Sequence, residues 1–225
     1  LKEKLSQVKQ KIQELITEAK FTTKIMSFIL TVPIAGFIAF GRQFYTLWQP
    51  TKTPDEIMMI QIMSILTCIT FLCSSQTQSL MMLNTVCNKL RLPVFINLGI
   101  GIVSVVVAII SCNISDYGIY FIAGTSSILM GLRALIFTPA YAAYILKQKM
   151  STFFPTVIRN SVAFVIILVL YFIVGNILTI TGWLSFIAIC LVVGILGYVI
   201  SLPLLFNKAE LIKLKTKVNK KLKRG

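Results

Sequence analysis

The chain has 225 residues, 56% of them hydrophobic and 13% charged, and it carries a formal net charge of +15. This composition excludes an ordinary soluble domain, in which about a quarter of the residues are charged. The bases are concentrated towards the two ends without interleaved aromatic residues, which favours contact with anionic membrane lipids and excludes nucleic acid as a partner.

Residues 1–22 are predicted to form a cytoplasmic amphipathic helix. Its apolar residues recur at intervals of four and three, which places them along one helical face opposite Lys, Glu and Gln. These residues are Leu1, Leu5, Val8, Ile12 and Leu15. We interpret the segment as a helix that lies on the membrane surface and leads into the first apolar stretch.

Six long apolar stretches follow and dominate the chain. They are Thr23–Phe40, Ile57–Leu83, Val94–Ser111, Tyr117–Ile145, Val157–Ile177 and Leu184–Phe206. A hydrocarbon core of about 30 Å needs about 20 apolar residues to cross it as a helix. Each stretch is long enough, or nearly so with its uncharged flank, and together they predict an all-α polytopic membrane protein with six transmembrane helices over residues 23–206.

The distribution of basic residues predicts the orientation of these spans. The amino-terminal flank, the turn Asn88–Pro93, the region around Lys147 and the tail 207–225 carry bases, whereas Asn113–Asp116 and Asn176–Gly182 carry none. Basic and base-poor segments therefore alternate, as the positive-inside rule requires. We expect both ends of the chain, including the basic tail, to face the cytoplasm.

The second span carries an unusual concentration of polar side chains. Gln76 and Gln78 lie in its middle, and Asn84 follows near its end. An unpaired amide in hydrocarbon costs several kcal/mol, so we expect these side chains to face neighbouring helices or a water-filled cavity. Two interpretations stay open, namely contact with a polar substrate and simple hydrogen bonding between helices.

Arg133 is the only basic residue placed well inside the fourth span. On a continuous helix it lies about 21 Å from the end at Lys147, close to the middle of the bilayer, where charged side chains usually line a pathway. If Pro139 ends or kinks that helix, Arg133 is only about 9 Å deep and its long side chain can reach the interface. The sequence leaves both alternatives open.

Missing residue types exclude several kinds of activity. The chain has no histidine, and none of its seven acids lies deep in a span. His-based acyl transfer and a paired-aspartate protease are therefore excluded, and ion coupling through an intramembrane carboxylate has no residue here. We expect neither an enzyme nor a metal site or cofactor.

Several segments resemble bacterial oligosaccharide flippases, the polysaccharide repeat-unit transporters related to multidrug and toxin extrusion carriers. The resemblance covers residues 25–146 and is carried by loose patterns. These are Ser27-Phe-Ile-Leu-Thr-Val-Pro-Ile-Ala-Gly36, Gly41-Arg-Gln-Phe-Tyr-Thr-Leu-Trp48, Leu83-Asn-Thr-Val-Cys-Asn-Lys-Leu-Arg-Leu-Pro93, Asp116-Tyr-Gly-Ile-Tyr120 and Leu132-Arg-Ala-Leu-Ile-Phe-Thr-Pro-Ala-Tyr-Ala-Ala143.

The resemblance implies the carboxyl-terminal part of a two-lobed transporter with further helices upstream. Such transporters move a polyprenyl-pyrophosphate-linked oligosaccharide across the bacterial cytoplasmic membrane for polysaccharide biosynthesis. Arg133 then suits the pyrophosphate, because guanidinium pairs bidentately with phosphate oxygens, and Gln76, Gln78 and Asn84 suit hydroxyl groups of the sugars. The alternatives are a multidrug exporter of the same fold and a non-transporting membrane component of a polysaccharide assembly complex.

Overall fold

The computed structural model describes residues 2–114, 118–178, 180–212 and 215–216. Within them the chain is helical and contains no strand. The helices are α1 (Lys2–Trp48), α2 (Pro54–Gln76), α3 (Gln78–Val86), α4 (Arg91–Ile114), α5 (Gly118–Leu132), α6 (Thr138–Ile145), α7 (Phe154–Ile177) and α8 (Trp183–Leu205), with a π turn at Arg133–Phe137 and a 3₁₀ turn at Met150–Thr152.

Six helical segments of the described chain are long and apolar enough to cross a membrane. They are Ser6–Trp48, Pro54–Gln76, Arg91–Ser111, Tyr120–Ile145, Met150–Ile177 and Trp183–Leu205. The prediction of an all-α protein with six apolar spans is confirmed, and the chain is a multi-pass membrane protein. Tyr117, where the fourth span was predicted to begin, and most of the basic tail lie outside the described residues.

Helix α1 differs from the expectation of a separate surface helix. It runs without interruption for 47 residues, about 70 Å, through the expected boundary after residue 22. Of the predicted apolar stripe, Ile12 and Leu15 are half-buried and pack against the core that contains Ile16 and Ala19, whereas Val8 is exposed. The amphipathic segment therefore continues into the first span as one helix, and part of its apolar face is covered by protein.

The helices are arranged around α1. Helix α1 packs against α7 and α8 on one side and against α2 and α3 on another, and α7 also packs against α8. Helix α5 packs against α2, and α4 packs mainly against α5. Helix α4 consequently has no buried residue in its most apolar stretch. Its exposed Val, Ile, Leu and Phe side chains form a surface suited to hydrocarbon.

Buried residues of the bundle form three apolar cores, the smallest of which consists of Phe21, Ala163, Leu205 and Phe206. The central core consists of Val32, Ile34, Ala35, Ile38, Ala39, Phe40, Leu72, Phe164, Ile167, Tyr171 and Val193. The basic-end core consists of Ile16, Ala19, Leu80, Leu83, Ala142, Ala143, Leu146, Phe153 and Val157. The second core takes its name from the basic turns that follow α3 and α6, at Lys89–Arg91 and Lys147–Lys149.

A layer of buried or half-buried polar side chains lies between the central core and the basic-end core. This polar layer consists of Thr23, Ser27, Thr31, Gln76, Thr77, Ser79, Thr138 and Asn160. The hydroxyl groups of Thr23 and Ser79 lie 2.6 Å apart, and the Asn160 amide donates to the Thr23 carbonyl at 3.3 Å. The layer thus connects α1, α3 and α7 through hydrogen bonds between spans.

Polar contacts anchor the segment after α8 to the bundle. The guanidinium of Arg159 donates to the Leu204 carbonyl at 2.7 Å and to the Asn207 side chain at 2.8 Å, which satisfies a carbonyl at the end of α8. Lys24 forms an ion pair with Glu210 at 2.7 Å, and Glu210 also accepts the Asn207 backbone N–H at 2.8 Å.

The Glu210 carboxyl has a lower pKa than an ordinary glutamate. Partial burial alone would raise its pKa, but the hydrogen bond from the Asn207 backbone and the hydrogen bond and charge of Lys24 outweigh burial, so that the pKa of Glu210 lies below its usual value. The charged form of Glu210 is therefore the one that holds the segment in place.

Candidate functional site

The second span is interrupted at Thr77, between α2 and α3. The backbone N–H of Thr77 donates to the Ser75 carbonyl, and the Thr77 hydroxyl donates to the carbonyls of Cys73 at 3.1 Å and Ser74 at 3.3 Å. A hydroxyl thereby serves a carbonyl that a regular helix would join to the backbone N–H four residues later. The break is tolerated within the span because its polar backbone groups are satisfied locally.

The fourth span is interrupted by the π turn Arg133–Phe137. The backbone N–H of Thr138 donates to the Arg133 carbonyl five residues earlier, and the Thr138 hydroxyl donates to the same carbonyl at 3.1 Å. Pro139 follows directly, and a proline lacks the N–H of a regular α-helix and clashes with the preceding turn. The wider π turn accommodates it, and the helix continues to Ile145.

The two interruptions lie side by side. Helix α2 packs against α5 and against the π turn, and α3 packs against α6. The Arg133 guanidinium bridges the pair, since its Nη2 lies 3.6 Å from the sulfur of Met81 on α3. Neighbouring interrupted spans of this kind form the binding sites of many transporters. We take the region around Arg133, Met81 and the two breaks as the candidate functional site.

Arg133 is poorly satisfied in this position. A guanidinium offers five N–H donors, whereas a thioether sulfur is a weak acceptor. The Arg133 Nε is buried and has no hydrogen-bond partner among the described residues. Because Pro139 does not end the helix, Arg133 lies about 18 Å before its end at Ile145. A positive charge at this position in the span with so few partners makes Arg133 a candidate for contact with an anionic group.

The structure separates the three predicted amides. Gln76 is 2% exposed and Asn84 is 4% exposed, so both lie in the protein interior. The side-chain oxygen of each is buried without a hydrogen-bond partner. Gln78 is exposed, three residues before Met81 on α3. Gln78 is therefore accessible at the surface of the bundle, whereas Gln76 and Asn84 belong to the interior.

Thr77 and Thr138 are site residues that the sequence interpretation missed. Both side chains are at most 2% exposed, and each stabilises one of the two breaks. Asn160 was missed as well, although an amide three residues into an apolar span is a visible signal. For the two threonines no comparable signal existed, because a hydroxyl in a span commonly bonds its own helix.

The apolar cleft between α1, α7 and α8 does not offer a site for a polar substrate. It has a volume of about 360 Å³ and is lined mostly by apolar groups such as Phe37, Phe40 and Phe186. The hydroxyl groups of its two tyrosines are already engaged. Tyr171 donates to the Val193 carbonyl at 3.0 Å, and Tyr198 donates to the Ile29 carbonyl at 3.1 Å.

Comparisons of the chain with protein-family models, with curated proteins and with solved structures found no match.

Proposed function

We propose that the chain is part of a two-lobed transporter that moves a polyprenyl-pyrophosphate-linked oligosaccharide repeat unit across the bacterial cytoplasmic membrane for polysaccharide biosynthesis. Both ends of the chain face the cytoplasm, and helices upstream of it complete the pathway. The protein is not an enzyme and uses no cofactor, since translocation breaks no covalent bond.

The placement of Arg133 is the observation that carries this proposal. Its guanidinium lies deep in a span, beside two helix breaks, with a buried Nε that lacks a partner and a Met81 sulfur as a weak acceptor. A pyrophosphate supplies strong acceptors with the spacing that the planar guanidinium binds bidentately. Binding of that group would reduce the energetic penalty of a half-buried cation whose Nε has no partner.

The three amides have different parts in the proposal. Gln78 is exposed, three residues before the Met81 that Arg133 contacts, so it can donate to and accept from hydroxyl groups of the sugar next to the pyrophosphate. Gln76 and Asn84 are buried in the state described and contact substrate only if the helices around them separate. We therefore rank Gln78 before Gln76 and Asn84 as a substrate contact.

The test combines gene depletion with substitution of Arg133. Depletion is expected to accumulate lipid-linked oligosaccharide on the inner leaflet and to reduce surface polysaccharide. Arg133→Gln is expected to reproduce this effect, and Arg133→Lys to give a weaker one, because Lys keeps the charge and loses the bidentate geometry. Arg91→Gln is the matched control, since Arg91 is exposed at the first position of α4, at the basic end.

The possible outcomes separate the alternatives. Normal surface polysaccharide with Arg133→Gln would contradict the role of Arg133. Depletion without accumulation, but with greater sensitivity to cationic drugs, would favour an exporter of the same fold. Loss of surface polysaccharide without accumulation on the inner leaflet would favour a non-transporting component of an assembly complex.

A further inference from the structure

The apolar cleft between α1, α7 and α8 is separate from the site around Arg133. Its walls extend along α1 from Val32 to Phe44 and along α8 from Phe186 to Tyr198. A helical wall of this length spans about 18 Å, which is close to half of a hydrocarbon core of about 30 Å. The cleft therefore extends over the depth of about one membrane leaflet.

One end of the cleft lies beside a cluster of aromatic side chains. Phe44 and Phe186 line this end, and their ring centroids are 6.1 Å apart. The centroid of the Phe44 ring is also 5.8 Å from that of Trp48 and 6.0 Å from that of Trp183. Both tryptophans are exposed, and tryptophan is enriched at the level of the lipid headgroups. The cleft thus leads from a headgroup level towards the middle of the membrane.

Glycines keep the cleft open. Gly36, Gly41 and Gly194 all line it, and a Cβ atom at Gly194 would meet no atom within 4 Å. Pro33 on the α1 wall is exposed, and Phe37 is half-buried. The cleft therefore opens on the surface of the described bundle, where an apolar molecule of the membrane can enter it.

The walls of the cleft favour a hydrocarbon chain as ligand. Tyr171 and Tyr198 already donate their hydroxyl groups to backbone carbonyls, and Cys190 is at most a weak donor. A ligand is consequently held by dispersion contacts with the surrounding apolar atoms.

The dimensions of the cleft fit one extended chain. A volume of about 360 Å³ over a length of about 18 Å corresponds to a mean cross-section of about 20 Å². A helix with a diameter of 10–12 Å needs roughly 80–110 Å². The cleft is thus too narrow for another helix of the protein.

We propose that the cleft binds one acyl chain of a glycerophospholipid from the leaflet at the aromatic end, with the headgroup at the level of Trp48 and Trp183. An acyl chain reaches through one leaflet, so it fills the cleft while its headgroup stays at the interface. The bound chain supplies contacts that the walls would otherwise lack, and it joins α8 to α1. This inference goes beyond the proposed function, because it does not depend on what the protein carries.

Photocrosslinking of the whole protein in lipid bilayers tests the proposal. The probe is a phosphatidylglycerol with a diazirine in the middle of one acyl chain, and mass spectrometry of peptides locates its adducts. We expect adducts on the two walls of the cleft, around Phe37 and Cys190. Adducts on the exposed face of α4 report lipid that merely surrounds the protein.

A variant that fills the cleft separates bound lipid from surrounding lipid. Gly194→Leu places a side chain in the cleft and is expected to abolish the wall adducts while those on α4 persist. Gly101→Leu is the matched control, since a Cβ atom at Gly101 on α4 would also meet no atom within 4 Å. If Gly194→Leu does not fold, Cys190→Phe fills the cleft from the preceding turn, with the same expectation.

Three results would overturn the proposal. Wall adducts that persist in the filled variant would show that the probe reacts from outside the cleft. Wall adducts absent from the wild type would show that another part of the protein covers the cleft. A diazirine-labelled polyprenyl phosphate that labels the walls more strongly than the phosphatidylglycerol, at equal mole fraction, would replace the phospholipid as the occupant.

Discussion

The environment of the Arg133 side chain is unfavourable for a charged group. A charged side chain at the centre of a span costs at least about 2.5 kcal/mol, and an ion pair or several strong acceptors would lower that cost. The described part of the chain provides neither, since Arg133 reaches a thioether and leaves Nε unpaired. Under the proposed function, the anionic group of the substrate supplies the acceptors that Arg133 lacks.

Gly197 is required for the close packing of α7 and α8. A Cβ atom at position 197 would overlap the Tyr171 hydroxyl, whereas a Cβ atom at Gly194, one turn earlier, would meet no atom within 4 Å. We expect Gly197→Ala to lower the free energy of unfolding by about 1–3 kcal/mol through overpacking. Thermal unfolding of the purified protein in detergent measures the effect.

Two controls accompany the Gly197 prediction. Gly194→Ala is expected to be neutral or stabilising, because alanine favours a helix over glycine by about 1 kcal/mol. Tyr171→Phe removes the overlapping oxygen and should restore part of the stability of the Gly197→Ala variant. Equal stability of the wild type and Gly197→Ala would show that α7 and α8 pack differently.

The Lys24–Glu210 ion pair predicts a dependence of stability on pH. The folded-state pKa of Glu210 lies below its unfolded value, so the carboxylate stabilises the fold above the unfolded pKa, about 4.5. This contribution is lost as the pH falls through the folded pKa. We expect the wild type to have a higher melting temperature than Glu210→Gln at pH 7. This difference should disappear once the pH has fallen below the folded-state pKa of Glu210.

Removal of Lys24 provides the control for this prediction. Lys24→Gln takes away the partner at 2.7 Å and is expected to reduce the pH-dependent difference. The Glu210 contribution that remains in Lys24→Gln comes from the Asn207 backbone hydrogen bond at 2.8 Å and from the charge of Arg159. A difference between wild type and Glu210→Gln that stays constant down to strongly acidic pH would contradict the assignment.

At the scale of helices, α3 and α6 end in the same way. Asn88 and Lys147 each adopt φ 52° just after the helix, and the following N–H bonds the carbonyl five residues earlier, from Lys89 to Asn84 and from Gln148 to Ala143. This is the Schellman arrangement, which satisfies carbonyls at a helix end. Both interrupted spans therefore terminate sharply and place basic residues directly beyond their ends.

The threonines at the two breaks are expected to stabilise the spans to different extents. Thr77→Val should cost about 1–3 kcal/mol, because the Cys73 carbonyl loses the donor that serves it at the break. Thr138→Val should cost about 0.5–1.5 kcal/mol, because the Arg133 carbonyl keeps the Thr138 backbone N–H. Thermal unfolding of the three proteins compares them.

Thr67→Val is the matched control for the break threonines. The Thr67 hydroxyl donates to the Met63 carbonyl at 3.0 Å within the regular part of α2, where that carbonyl already belongs to the helical ladder. We expect its loss to change stability by less than about 0.5 kcal/mol. A cost for Thr67→Val equal to that for Thr77→Val would mean that the break has no special requirement for a hydroxyl.

For the whole molecule, the alternation of basic turns predicts the orientation in the membrane. In a cysteine-free background, Lys52→Cys lies between α1 and α2, and Lys149→Cys lies between α6 and α7. A membrane-impermeant maleimide added to intact cells is expected to label Lys52→Cys and to leave Lys149→Cys unlabelled until the cells are permeabilised. Labelling in the reverse order would invert the proposed topology.

The six spans were predictable because they depend on composition over about 20 residues. Crossing a bilayer requires every backbone group to be bonded within the chain, so a long apolar stretch has one practical solution, a helix. The burial of Gln76 and Asn84 was also expected, since an amide in hydrocarbon is costly. The separation of Gln78 from them follows from its position on another face of α3.

The primary structure determined the number, length and apolar character of the helices, because these properties follow from the local cost of placing peptide groups and side chains in hydrocarbon. The packing of the helices determined the rest. The π turn before Pro139 and the break at Thr77 are held by hydrogen bonds within their own spans. Packing brings the two breaks side by side and decides which polar groups of different spans meet. Such pairings join residues from 52 to 169 positions apart, as in Arg133–Met81 and Tyr198–Ile29, and local sequence patterns carry no information about them.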